Sequence, residues 1–269
     1  MAKRNLSQWP KNAIKSLNNA GAFFGVAGIL TGVVGAVAAT PIVIAAGVGT
    51  VAVSLGYAAY VSFPEKQVDP QSNVGKKISL KDLQNLSENV LTFGIFGAAS
   101  SGKSTFLEHS LTSNQNVPVT HDTYATIVSL QTTPPRVIAL VDGDGKAFSQ
   151  QFLVVKNSNA LFVFLDHNDG NTDKTILDSR VNVHNEYLNQ LNNYLRDESL
   201  PKFELIHFIL NKRDLWELSP DKQNLIDWFN RIETEWRAKN YSKRITTSFH
   251  SNNLASDINT LMNTIKSIN

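Results

Sequence analysis

An α/β domain, with a mostly parallel six-stranded sheet, helices on both faces and an apolar helical hairpin before it, is what this sequence predicts. Three observations carry that expectation. Apolar runs of strand length alternate with longer segments in which apolar residues recur every three or four positions. A glycine-rich loop, Gly97 to Thr105, lies between the first such run and an amphipathic segment. And 44 consecutive residues, Ala20 to Phe63, include no Asp, Glu, Lys, Arg, His, Asn or Gln.

The uncharged stretch comes first in the chain. One bilayer crossing takes about 20 apolar residues, so the length suits two helices, about Ala20 to Thr40 and Ile42 to Phe63, with Pro41 between them where it costs a helix interior nothing. Gly28 and Gly32 form a G-x-x-x-G spacing that lets helix backbones approach closely in lipid. Trp9, Tyr57 and Tyr60 suit the interface. The run is too long for the apolar core of a signal peptide, which is about 7 to 15 residues, and it lacks the polar face of a soluble helix pair. Lys3, Arg4, Lys11 and Lys15 precede it, and Lys66, Lys76, Lys77 and Lys81 follow it. By the positive-inside tendency both flanks lie in the cytoplasm. The far turn, Ala39-Thr40-Pro41, is short and apolar, so a hairpin that enters the bilayer without emerging is a second geometry.

The domain boundaries expected are a basic terminus at 1–19, the transmembrane hairpin at 20–63, a linker at 64–88 and an α/β domain at 89–269. Of 269 residues, 25 are Lys or Arg and 23 Asp or Glu. All the acidic residues follow Pro64, while four basic ones precede the apolar stretch, which leaves 21 basic against 23 acidic residues. That near-neutral remainder has no basic stripe, which argues against a nucleic-acid partner. Cysteine is absent, which excludes disulfides, thiolate metal sites and cysteine nucleophiles.

Strands are expected at Val90–Phe96, Ala125–Leu130, Arg136–Val141, Ala160–Leu165, Leu205–Leu210 and Arg244–Thr247. Helical stripes run through Leu177, Val181, His184, Leu188, Leu191 and Leu195, through Leu225, Phe229, Ile232 and Trp236, and through Ile258, Leu261, Met262, Ile265 and Ile268. Gly97, Gly102, Lys103 and Ser104 match G-x-x-x-x-G-K-[ST] in the strand–loop–helix context that this motif requires. Its glycines let backbone N–H groups turn toward phosphate, and the helix N-terminus adds favourable dipole. Gly97, Ser100, Ser101, Gly102, Lys103, Ser104 and Thr105 are therefore the candidate phosphate-binding residues, with the Lys103 ammonium on the β- and γ-phosphates and the Ser104 hydroxyl on Mg²⁺.

Downstream, Asn211-Lys212-Arg213-Asp214 closes a strand-like run and matches N-K-x-D, and Asp142-Gly143-Asp144-Gly145 fits D-x-x-G. From about Asn89 to Asn269 the chain resembles the small-GTPase superfamily, P-loop GTPases of Ras and Arf type, in the order and spacing of these motifs. The resemblance implies GTP or GDP with Mg²⁺ as ligands. A carboxylate at Asp214 would accept two hydrogen bonds from guanine that adenine does not offer, while Asn211 would brace the loops and the Lys212 stem would lie along the base. Asp142 would hold Mg²⁺ through a water, and the Gly145 N–H would sense the γ-phosphate. A Mg²⁺-capping threonine belongs upstream: Thr123, at a separation resembling Arf-like proteins, or Thr120. Lys103, Thr123 and Gly145 are then the catalytic candidates, and Ser104, Thr123 and Asp142 the metal ligands. The last guanine-contacting loop would be Thr247-Ser248-Phe249, with Ser248 and Phe249 at the base; Phe249 departs from the family's small residue and reads equally as a buried aromatic at a strand end.

A second departure concerns chemistry. Where Ras-like and Arf-like proteins carry a water-orienting Gln after D-x-x-G, this chain has Lys146, which donates hydrogen bonds and accepts none. The expected protein is a membrane-anchored GTP-binding switch with slow hydrolysis, at the cytoplasmic face of a bacterial inner membrane, serving an effector and needing an activating partner. The alternative is a GTP-occupied tether that does not hydrolyse. With the full chain in vesicles, added protease is expected to cut residues after Pro64 only when the cytoplasmic face is outward; cleavage of those residues from the opposite face would overturn the hairpin topology.

Overall fold

A computed structural model describes residues 67–86, 90–110, 122–196 and 202–268. The chain divides into two compact units, Met1–Val68 and Asp69–Asn269. The expected hairpin at 20–63, and Thr120 with it, lie outside the described residues. Among those described, no helix is long and apolar enough to cross a membrane.

The second unit carries seven strands, β1 (Lys77–Ser79), β2 (Leu91–Phe96), β3 (Tyr124–Leu130), β4 (Arg136–Asp142), β5 (Ala160–Leu165), β6 (Leu205–Leu210) and β7 (Ile245–Phe249). Its α-helices are α1 (Leu80–Gln84), α2 (Lys103–Ser110), α3 (Phe148–Lys156), α4 (Asp178–Leu195), α5 (Arg213–Trp216), α6 (Lys222–Arg237) and α7 (Ala255–Lys266). The sheet order is β1-β3-β4-β2-β5-β6-β7. The pairs from β4 through β2, β5 and β6 to β7 are parallel, and β3 is antiparallel to both β1 and β4.

The expected count of six strands is corrected to seven. Residues 77–84, in the segment assigned to a linker, instead supply edge strand β1 and helix α1. Only Ile78 of β1 turns inward, with Lys77 and Ser79 exposed. A single apolar residue gives no readable alternation, and the strand forms because β3 offers it an open edge. Its exposed lysine also suits an edge that must not pair with other chains.

Parallel sheets need both faces covered, and the pleat of β5 shows how this is done. Leu161, Val163 and Leu165 face a core built with Leu188 and Leu191 of α4 and Leu225, Phe229, Ile232 and Trp236 of α6. Ala160, Phe162 and Phe164 face the other side, against Phe106 and Leu107 of α2 and Leu261 and Ile265 of α7. All residues of β5 and β6 are buried. A third cluster joins Ile78, Leu83, Ala139, Val141 and Val154 beneath α1 and α3. Residue alignment across the parallel strands pairs Ile95 with Asp142, Phe96 with Val163, Leu165 with Leu210 and Leu210 with Phe249. Five strands thus end at one edge, where the loops following them meet.

One buried polar group inside this sheet has a cost that depends on pH. His207 of β6 bonds Thr246 Oγ1 at 2.7 Å and Ser248 Oγ at 2.9 Å, and burial, followed by the nearby charge of His250, lowers its pKa to about 4. Between pH 6.5 and 4 the unfolded chain binds a proton that the folded domain excludes. The stabilisation is complete above pH 6.5 and falls away toward pH 4, by about 3 kcal/mol for a shift of this size. Thermal midpoints of the full chain are expected to drop across that window, and to drop less steeply in His207→Gln; identical slopes for both proteins would refute the assignment.

Candidate functional site

The loop Gly97–Gly102 takes a shape that few residues permit. Gly97 has φ 147°, Ser100 φ 63° and Gly102 φ 92°. A Cβ on Gly97 would lie 2.5 Å from the Phe164 carbonyl oxygen, and one on Gly102 would strike the Asn211 amide and approach Asn252 Nδ2 to 2.7 Å. Both positions therefore require glycine for space as well as for dihedral freedom.

The loop's carbonyl oxygens are engaged by protein donors on its outer side. Arg180 Nη2 donates to Ala99 O at 2.7 Å, Asn211 Nδ2 to Ser101 O at 2.9 Å and Asn252 Nδ2 to Gly102 O at 2.8 Å. In a trans peptide the N–H points opposite to the carbonyl. The N–H groups of Ser100, Gly102 and Lys103 accordingly face away from those donors, free of them to meet an anion as successive N–H groups of such loops do. Lys103 closes it: its Nζ donates to Gly97 O at 2.8 Å and Ala98 O at 2.9 Å. Burial pushes its pKa down, opposed mainly by the charge of Asp142. Ser104 and Thr105 follow in the first turn of α2.

Beside this cradle lies the loop after β4. Asp142, 1% exposed, ends that strand. Gln151 of α3, fully buried, joins the two loops, accepting from the Gly97 N–H at 3.0 Å and donating through Nε2 to Gly143 O at 3.0 Å and Asp144 O at 3.1 Å. The Asp144 N–H donates to Gln150 Oε1 at 2.9 Å. Thr123 Oγ1 lies 3.5 Å from Gln150 O, next to Gly143. Lys146 is exposed, with its N–H donating to Asp144 Oδ1 at 2.8 Å.

In the loop after β6, Lys212 adopts left-handed dihedrals, φ 60° and ψ 37°, a conformation that costs a non-glycine residue and persists where surroundings hold it. Its Nζ donates to Asn168 O at 2.7 Å and Gly170 O at 2.9 Å and lies 2.8 Å from Asp166 Oδ2. Asp166 also accepts from Arg180 Nε at 2.6 Å; its Oδ1 lies 2.7 Å from His184 Nε2, and its backbone N–H donates to the same nitrogen at 3.1 Å. Burial pushes the Asp166 carboxyl up, but His184 and Arg180 outweigh it and hold the pKa at about 2.

Asp214 accepts from Ser251 Oγ at 2.6 Å and Asn253 Nδ2 at 2.9 Å. Burial raises its pKa, and these two bonds more than offset that, leaving it below the usual carboxylate value. The loop bearing them is tied down by Asp257 of α7, whose Oδ2 accepts from Ser251 N at 2.9 Å and whose Oδ1 lies 3.2 Å from Arg213 Nη2.

The structure thus gathers Gly97, Ser100, Ser101, Gly102, Lys103, Ser104, Thr105, Thr123, Asp142, Gly145, Asn211, Lys212 and Asp214 at one edge of the sheet. It does not bring Ser248 and Phe249 into that group, and this expectation is corrected. β7 runs two residues further than expected, to Phe249. Ser248 consequently bonds His207, and the Phe249 ring packs edge-on to Trp216 at 5.4 Å and against Phe229 at 5.7 Å. Ser251, Asn252 and Asn253 take the place beside Asp214 and the phosphate loop. Gln151, Asp166, Arg180 and Tyr187 were also missed. Asp166 left one visible sign, a carboxylate directly after six apolar residues, whereas a buried glutamine in a helix leaves none.

No family model matches the chain, and no curated protein sequence matches it. Among solved structures, a bacterial selenocysteine-specific elongation factor, EF-Sec, is similar with TM-score 0.47 and 13% identity, over 67% of this chain and 29% of its own. The mammalian SRP receptor has TM-score 0.47 and 16% identity, over 66% of this chain and 100% of the receptor chain. A variant of SsGBP has TM-score 0.43 and 20% identity, over 66% of this chain and 55% of its own. This chain spans well under two thirds of the elongation factor's length.

Proposed function

We propose that the unit Asp69–Asn269 binds GTP and GDP with Mg²⁺ as a P-loop GTPase, and that the chain acts as a nucleotide-dependent switch. The apolar segment Ala20–Phe63 would hold it at the cytoplasmic face of a bilayer, on our reading the bacterial inner membrane, where an effector protein is the partner. The observation that carries the nucleotide reading is the pair of amides, Asn211 and Asn252, each bonded to a carbonyl of the phosphate loop. They join the G-K-S lysine and the N-K-x-D carboxylate in one groove, the lysine suited to phosphates and the carboxylate to a base with two adjacent N–H donors.

The oxygen donors present fit magnesium. Mg²⁺ takes one or two protein oxygens together with substrate phosphates and waters, and Ser104 at the start of α2 and Asp142 at the end of β4 supply those two. Among the described residues no group of three His, Asp or Glu could hold a metal alone, which suits an ion shared with phosphate. Bound there, the ion would neutralise charge on the β- and γ-phosphates. The protein's own share is orientation by the loop N–H groups and charge from Lys103. Thr123, set beside Gly143, would be the threonine that caps the metal.

Hydrolysis on this reading is slow. Lys146 stands exposed in the water-orienting position and cannot accept a hydrogen bond from water. Gln150 and Gln151 do not replace it, because both amides hold backbone. Single-turnover assays on the full chain are expected to give a rate on the order of 10⁻⁴ s⁻¹ or less, raised about 10³- to 10⁵-fold if a partner supplies the missing group. Activity that vanishes in Lys103→Ala supports the switch; GTP that stays bound and intact after addition of cell lysate supports a tether. For the base, GTP should bind far more tightly than ATP, and Asp214→Asn should shift preference toward xanthosine nucleotides. Equal affinity of the unaltered protein for ATP and GTP would remove the guanine assignment.

A further inference from the structure

Gly145 sits directly on the groups that would receive phosphate. A Cβ placed there would lie 2.6 Å from Ala99 N, 2.7 Å from Lys103 Nζ and 2.9 Å from Ala98 C. Its α-carbon therefore occupies the approach to the ammonium that the motif uses for the β- and γ-phosphates. The three atoms nearest that position include none of the Ser100, Gly102 and Lys103 N–H groups, so on the nucleotide reading a β-phosphate can seat on those N–H groups with the loop in place, while a γ-phosphate reaching Lys103 Nζ must displace it.

What holds Gly145 there comes from a different part of the chain. Gln151 and Gln150 fasten the residues before it, at Gly143 and Asp144. Gly145 itself is held by Tyr187 of α4, whose hydroxyl donates to Gly145 O. The Tyr187 ring, 7% exposed, is fixed against Phe148 of α3 at 4.4 Å and edge-on to Phe96 of β2 at 6.0 Å. Aromatic packing on two elements sets the position of the hydroxyl independently of the loop that it grips. Burial also pushes the phenol's pKa up, so it stays a donor throughout the physiological range.

We propose that Tyr187 is a positioning residue that sets the preference between diphosphate and triphosphate, by holding Gly145 over Lys103 until a γ-phosphate displaces it. This rests on the guanine-nucleotide reading above. The hydrogen bond stabilises the seated loop and is broken when Gly145 lifts away, so it lowers triphosphate affinity and leaves diphosphate affinity alone.

The test compares the full chain and Tyr187→Phe in detergent micelles, titrated with GDP and with GTPγS, alongside hydrogen–deuterium exchange of the backbone at 143–147 without nucleotide. Tyr187→Phe keeps the ring stack and loses only the hydroxyl. The expected result is an affinity ratio shifted about 3- to 10-fold toward GTPγS, the worth of one such bond, with GDP affinity unchanged and exchange at 143–147 accelerated. An unchanged ratio, or equal changes for both nucleotides, overturns the proposal. If the unaltered protein binds neither nucleotide, the guanine reading fails by itself; exchange at 143–147 that is then the same in both proteins also removes the Tyr187 tie.

Discussion

A single buried carboxylate, Asp166, organises the edge of the sheet where the loops meet. It takes contacts from Lys212, Arg180 and His184, which link the loop after β6, helix α4 and, through the second hydrogen bond of Arg180, the glycine-rich loop at Ala99. Burying such charges costs several kcal/mol for each ion, and Coulomb attraction offsets that only where geometry and hydrogen bonding are complete. Here most of the donors are used twice: Arg180 bridges a carboxylate and a carbonyl, and Lys212 a carboxylate and two carbonyls. His184, pushed by burial toward its neutral form, joins the cluster without adding a third buried positive charge to those of Arg180 and Lys212. The cluster is therefore better read as a device for specific placement than as a source of net stability.

Placement matters because the loops it joins have little else to define them. The strands end at a common edge for reasons of hydrophobic burial alone, since β5 and β6 are apolar on both faces and admit one register with their neighbours. Beyond the strand ends that determinant stops, and side chains take over. Asn211 and Asn252 tie the loops after β6 and β7 to the glycine-rich loop. Asp257 fixes the loop after β7 to the start of α5. Left-handed Lys212 persists because three oxygen acceptors hold its ammonium where ordinary dihedrals would not place it.

This division explains what could be read from the chain beforehand. β5 and β6 were legible to the residue, because continuous apolar runs bounded by polar residues have one economical solution, and the stripes of α4, α6 and α7 were legible by period. The phosphate and N-K-x-D loops were legible because each needs particular residue types at fixed spacing. β1 was not, since one inward isoleucine carries no pattern and its partner edge is known only in three dimensions. Helix α3 was hidden by Ser149, Gln150 and Gln151, polar residues of which one proves to be fully buried. The end of β7 was misplaced because Thr246, Thr247 and Ser248 suit a strand or a loop equally, and His207 on the neighbouring strand settles the matter. No local pattern reveals a partner so far along the chain.

The same contacts sort the site into a rigid part and a movable one. The phosphate loop is held from outside by Arg180, Asn211 and Asn252 and at its start by Gln151, all from elements packed on the sheet, so its N–H groups are already aimed and ordering them costs little at the moment of binding. The loop after β4 is held otherwise, by glutamine amides from the helix that follows it and by one tyrosine hydroxyl from α4. Breaking the contact at Gly145 disturbs nothing in the core, because the Tyr187 ring remains stacked on Phe148. On the nucleotide reading proposed above, the energetic difference between a diphosphate and a triphosphate would fall on the loop after β4, where the fewest core contacts are at stake.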